Sequence, residues 1–364
     1  MGNKGTSMEE LVRNYFSQQG FFAVRSIPYR FDGSDISDID VWIYGRQSAS
    51  ARIKGIIDVK NKKTPKVFER ILWTKGMQIA TNCDKAIIVT TDSNPSAVKF
   101  AKTLNIPIIS KSFIEKLEHK LPHDSRLSME ELVAQVRGYS AHKQDGDWIK
   151  HLEDAKSSLI SLNSFQSFNR IMMSFQFFAE RAEVRPQQWE IATRLSVFTA
   201  SLACIALDAS LEPFVFEGSQ LRHKGIMQGV TYGDSGDEAT TDRINKVLQL
   251  ISENMENGRS LSLSIENRIN KKFSEVRADI IAEYFARELH SQHLFLTARQ
   301  LESLAHARSL NNADGLSIEA RSILGVFADF TGVNRSIFSP LPSSEGRDIS
   351  HTSATNTSRQ HKPF

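Results

Sequence analysis

Only two of the 364 residues are cysteine, Cys83 and Cys204. That number excludes a disulfide framework and offers no zinc spacing, and the apolar neighbours of each mark both as core residues. No apolar run is expected to reach the length needed to cross a membrane. The opening Met1-Gly2-Asn3-Lys4 carries no leader-type apolar segment, so a cytoplasmic location without a membrane partner is expected. Also missing are an internal repeat, a glycine loop of the kind that cradles phosphates, and a Ser/His/Asp order that would suggest a nucleophilic triad. What is present is ordinary for a globular chain, with 40% hydrophobic and 24% charged residues, and the length suits two domains. The net charge of +3 conceals an imbalance. Residues 1–120 hold 19 Lys and Arg against 12 Asp and Glu, a surplus of 7, and the remainder nets −4. A surplus of that sign suits a phosphate backbone, and equally a solvated basic face.

The stretch from Ser37 to Lys60 reads as two strands joined by a turn, one centred on Asp38-Ile39-Asp40-Val41-Trp42-Ile43 and one on Ile56-Ile57-Asp58-Val59-Lys60. Side chains alternate faces along a strand, so Asp38 and Asp40 share one face of the first, and Asp58 and Lys60 share one face of the second. Pairing would bring two or three carboxylates and one ammonium to one spot. Neighbouring carboxylates repel and are costly to bury unless a cation stands between them. A hard divalent ion with oxygen ligands, Mg²⁺ with Mn²⁺ as a substitute, resolves that conflict.

The elements around this pair are read in order. Residues 6–19 form a helix whose stripe is Met8, Leu11, Val12, Tyr15 and Phe16, with Glu9 flanking the stripe and Glu10 aligned with Arg13 on the wet side. Gly20 ends it, and residues 22–27 form a strand. Residues 30–37 are a turn rich in Gly, Ser and Asp. Thr64-Pro65 starts a helix over about 65–81 that turns Phe68, Ile71, Leu72 and Met77 inward. Lys62, Lys66 and Arg70, spaced four apart, are candidate phosphate contacts or one edge of a solvated helix. Residues 86–91 read as a doubly buried parallel strand, 94–104 as a helix, 106–109 as a short strand and 111–121 as a closing helix. The result is an α/β domain with a mixed central sheet.

Asp40, followed after a spacer by Asp58, Val59 and Lys60, resembles the motif of the PD-(D/E)XK nuclease superfamily, with Ile39 where its name carries proline. The opening helix with Glu9, ending in Gly20-Phe21, and the later Ile87-Ile88-Val89-Thr90-Thr91 strand resemble Mrr-type restriction endonucleases and archaeal Holliday-junction resolvases. The resemblance covers roughly residues 6–120. It implies a restriction-endonuclease-like fold and an endodeoxyribonuclease dependent on Mg²⁺, placed in restriction or phage defence. It implies metal ligation by Asp40, Asp58 and the Val59 carbonyl, water orientation or charge compensation by Lys60, and a supporting acid in Glu9. Asp38 is either a supporting acid or the true ligand in place of Asp40. Double-stranded DNA is the expected substrate and a homodimer or larger assembly the expected state, since cutting both strands needs two sites. A structure-specific nuclease for branched DNA and a non-catalytic nucleic-acid-binding protein on the same fold are the alternatives.

Past residue 122 the pattern changes. Residues 123–147 read as a linker region, 148–335 as a mainly α-helical domain and 336–364 as a disordered Ser/Thr/Pro-rich tail. Within the helical domain, residues 149–182 carry a Phe and Met stripe, and 187–211 are apolar nearly all round, as a central buried helix would be. Residues 212–238, glycine-rich and acidic at the end, read as a surface loop. Further helices are expected near 239–256, 264–289, 294–309 and 315–331, and His290 and His293 lie on one face without further ligands to make a metal site.

Overall fold

The computed structural model describes residues 4–60, 66–91, 94–120, 126–161, 164–310 and 315–341. The first part runs α1 (Lys4–Gln18), β1 (Phe22–Phe31), β2 (Ser34–Arg46), β3 (Arg52–Lys60), α2 (Val67–Ala80), β4 (Lys85–Thr90), α3 (Pro95–Thr103), β5 (Ile108–Ser110) and α4 (Lys111–Lys120). The five strands form one sheet in chain order, β1-β2-β3-β4-β5. The first three are antiparallel, whereas β3, β4 and β5 are parallel. The α/β layout with a mixed sheet is therefore as expected.

Alternation along the strands gives the sheet two apolar faces. Val41, Ile43, Ile57, Val59 and Val89 pack under Met8, Val12 and Phe16 of α1 and Ile114 of α4. Trp42, Tyr44, Ile56, Ala86 and Ile88 belong to a larger core shared with α2, α3 and the helices that follow. On α2 the buried positions are Val67, Ile71, Thr74 and Met77, at helical spacing, and the expected inward residues Phe68 and Leu72 are exposed. Residues 30–37 also differ from expectation. They extend β1 and β2 into a long hairpin, closed by Asp32 and Gly33 at φ 48° and 78°, the left-handed pair that a tight hairpin turn requires.

The helical part follows as α5 (Met129–Gly138), α6 (Trp148–Ser161), α7 (Ser164–Val184), α8 (Trp189–Ser210), α9 (Ser219–Tyr232), α10 (Gly236–Asn254), α11 (Gly258–Ser274), α12 (Ala278–Phe285), α13 (Glu288–Gln292), α14 (Leu294–Ala305) and α15 (Ile318–Thr331). Central α8 is buried from Ile191 to Asp208. The helix Pro186–Ser210 has the length and composition to cross a membrane, contrary to the expectation that no run would, but its most apolar window is 94% buried inside the fold.

Four readings of this region are corrected. The stretch read as a linker contains α5, fixed by a capping box between Ser128 and Glu131 and buried through Met129, Leu132 and Val136; residues 123–125 lie outside the described residues. The single helix expected near 264–289 is two elements, α11 and α12. The expected loop at 212–238 holds α9, whose glycines allow close packing: a Cβ on Gly225 would lie 2.3 Å from the Phe214 ring and one on Gly229 2.4 Å from the Phe165 ring. Asp234, in the same stretch, accepts from the N–H groups of Phe165 and Gln166 and so caps α7. Finally, Ile337, Phe338 and Leu341 are buried, so the ordered core runs past residue 336; the rest of the expected tail, 342–364, lies outside the described residues. His290 stacks on Tyr284 and its Nδ1 lies 3.0 Å from the Tyr284 carbonyl, a packing role.

Polar side chains join the sheet to the helices. Buried Asp208 of α8 accepts from Tyr44 Oη at 2.7 Å, from Arg46 at 2.9 Å and from Arg52 at 3.2 Å. Arg30 of β1 pairs with Glu153 and Asp154 of α6. Lys156, also on α6 and buried, donates to the Ser26 carbonyl at 2.7 Å.

Candidate functional site

The β2–β3 ladder runs from Arg46↔Arg52 to Val41↔Ile57 and then stops. Beyond that point β2 stays paired with β1 through Ile39 and Asp38, and β3 stays paired with β4 through Lys60. The two strands part, and Asp40 and Asp58 stand at the mouth of the wedge. Asp40 bridges it with its side chain: Oδ2 accepts from the Val59 N–H at 2.7 Å, in place of the missing ladder bond. Because the N–H and C=O of one strand residue point the same way, the Val59 carbonyl also faces the β2 side of β3.

Lys60 closes the cluster. Its Nζ lies 3.0 Å from Asp40 Oδ2 and 3.3 Å from Asp58 Oδ1. The Asp58 side chain is 2% exposed, whereas Lys60 is 24% and Arg70 26% exposed, so the carboxylate is the floor and the two cations are the open side. Arg70 reaches back from α2 to hold both oxygens of Asp58, with Nε 3.0 Å from Oδ2, and its guanidinium lies 4.0 Å over the Trp73 ring. Burial raises the Asp40 pKa above its ordinary value, opposed by Lys60 and the Val59 N–H and reinforced by the Asp58 charge.

The strand opposite is distorted at this level. Arg25 pairs with Val41 and Ile27 with Ile39, so Ser26 falls across from Asp40. Ser26 sits at φ 53° and turns its carbonyl to Lys156. A non-glycine residue in the left-handed region is strained, and such strain gathers where function constrains the backbone.

Glu9 does not join the cluster by a hydrogen bond. It accepts from Arg25 at 2.7 Å, and Arg25 also holds Glu10 and Glu130. Burial raises the Glu9 pKa against the pull of Arg25, and the Asp40 charge adds to the rise, which places the two carboxylates within electrostatic reach. Glu10 and Arg13, expected on the wet side of α1, are instead part of this semi-buried network. The network was not legible because Arg25 sits among apolar strand residues; an arginine at an inward strand position is the signal that marks it. Asp38 is exposed and its charge acts on Lys156, so Asp40 is the carboxylate at the wedge. Lys66 is exposed and pairs with Glu69, and Lys62 lies outside the described residues.

Among the described residues no group of three or more His, Cys, Asp or Glu side chains is placed to hold a metal ion. The wedge offers two carboxylates, and the bonds to Asp40 from described residues all use Oδ2, leaving Oδ1 for a further partner. Two hard oxygen ligands completed by water and substrate oxygens are the habit of Mg²⁺, so the residue types suit that ion, while Arg70 holds both Asp58 oxygens in this arrangement. Comparisons with protein-family models, with curated proteins and with solved structures return no match.

Proposed function

We propose that this chain is a cytoplasmic, Mg²⁺-dependent endodeoxyribonuclease of the PD-(D/E)XK type, with Asp40, Asp58 and Lys60 as its catalytic set. The observation that carries the reading is the meeting of Lys60 with both carboxylates, at 3.0 and 3.3 Å, where two strands part. Asp40 and Asp58, with the Val59 carbonyl, would hold the ion, which when bound supplies a water of lowered pKa and polarises the phosphate. Lys60 orients the attacking water and offsets charge that builds on the phosphoryl oxygens. The Val59 N–H fixes one Asp40 oxygen and leaves the other for ligation. Glu9 adds negative charge behind Asp40 while Arg25 holds it in place. Lys66, exposed beside the start of α2 and paired with Glu69, would exchange that partner for a phosphate. A role in restriction or defence, and a dimer for double-strand cutting, extend the same reading.

A non-catalytic nucleic-acid-binding protein is the second reading, and the pairing of Arg70 with both Asp58 oxygens favours it, because that pairing already neutralises the carboxylate. Incubating the purified chain with supercoiled plasmid, linear duplex, four-way junction and RNA, with and without Mg²⁺, separates the readings. Metal-dependent nicking or linearisation of DNA supports the first. Retention of DNA with no product in Mg²⁺ or Mn²⁺ supports the second.

A further inference from the structure

Arg70 stands where a cation on Asp58 would stand. Its Nε and terminal amine engage Oδ2 and Oδ1 respectively, and Lys60 Nζ lies 3.3 Å from the same Oδ1. A carboxylate has about four acceptor directions; Arg70 uses two of them, one on each oxygen, and the Lys60 ammonium stands close against Oδ1. A divalent ion cannot enter beside a bidentate guanidinium without both crowding and like-charge repulsion. Yet Arg70 is not locked in place. It is 26% exposed, it comes from a helix and not from the strand that carries Asp58, and its guanidinium is also stacked on Trp73, at 4.0 Å, on the same helix. The planar fork that grips a carboxylate matches a phosphodiester equally well.

We propose that Arg70 is an exchangeable plug on Asp58, displaced by the divalent ion and drawn off by a substrate phosphate, so that ion and nucleic acid load together. The inference rests on the metal-dependent reading above and adds a coupling to it. By linkage, a substrate that removes Arg70 from Asp58 must tighten ion binding by the same factor by which the ion tightens substrate binding. Arg70 is thus a positioning residue whose first effect is on loading. An idle site holds stray ions weakly, and a bound phosphate backbone strengthens its hold.

The test is Mn²⁺ titration of the full chain by calorimetry, alone and with a short duplex carrying phosphorothioate linkages. Wild type is compared with Arg70→Met, which keeps the stem over Trp73, with Arg70→Gln as a second variant and Asp58→Asn as the site control. The expected result is Mn²⁺ affinity about tenfold or more higher in both Arg70 variants without duplex. Duplex should tighten Mn²⁺ binding to wild type by a larger factor than to the variants. Equal Mn²⁺ affinity in wild type and both variants, with loss in Asp58→Asn, overturns the plug and leaves the metal reading standing. Mn²⁺ binding that is absent, or untouched by Asp58→Asn, overturns the metal reading and the plug with it.

Discussion

Tyr44 Oη donates a 2.7 Å hydrogen bond to Asp208 Oδ2, and Tyr44 lies four residues along β2 from Asp40. The strand that carries the proposed ligand is thereby fixed to the central helix of the other half of the molecule. Asp208 is 1% exposed and also takes Arg46 and Arg52. Asp208→Ala strands those two cations against the core and should cost about 3–5 kcal/mol, because an unpaired buried charge is left behind. Tyr44→Phe removes one bond to a charged acceptor and should cost about 1.5–3 kcal/mol. Urea denaturation of the two variants measures both, and losses under about 0.5 kcal/mol would contradict the joint.

Acid should destabilise the protein before most carboxylates titrate. Buried His306 is pushed from the ordinary 6.5 down to about 4 by burial and by Arg126. Its unfolded form takes a proton near 6.5 and the folded form only near 4, so the unfolded chain binds more protons across that window. Stability therefore falls as pH drops from about 6.5 to about 4, by on the order of 3 kcal/mol. Glu302, paired with Arg126, is held at about 2 because the arginine's charge and hydrogen bonds outweigh the cost of burial, and its contribution is lost below about pH 4.5. Thermal melts from pH 7 to pH 4 read the first window; a flat profile there would contradict it.

Lys156 gives the same trend in an alkaline window. Burial lowers its pKa from 10.5 to about 8, so the unfolded chain binds more protons between those values and stability rises with pH across them. Lys156→Met removes the titration and should abolish that rise. It also frees the Ser26 carbonyl across from Asp40, so cleavage should slow even where the fold survives. An alkaline rise retained in the variant would show that another group causes it.

The sheet was legible because β2 and β3 alternate and β4 is apolar on both sides, and these periods survive in any tertiary setting. The hairpin tip was not: Arg30 to Ser37 has turn composition throughout, and only Asp32-Gly33 needs it. Helix α9 was hidden by its own glycines, which serve Phe214 and Phe165 and not a loop. Asp40, Asp58 and Lys60 were readable because their spacing on two strands fixes their side. Arg70 read as a candidate phosphate contact or part of a solvated helix edge, since spacing cannot show that a side chain reaches back across a 12-residue separation to Asp58. The exposure of Asp38 and the ion pair of Glu9 with Arg25 were hidden for the same reason.

The proposed chemistry is tested most directly by the rate of supercoiled-plasmid cleavage in Mg²⁺ with Lys60→Ala beside wild type, binding of the same DNA being measured in parallel. Lys60 is partly exposed, so its removal leaves the core intact. The account predicts a fall of at least about a hundredfold in cleavage with DNA affinity little changed. Cleavage at the wild-type rate by the variant, with Mg²⁺ still required, would contradict it.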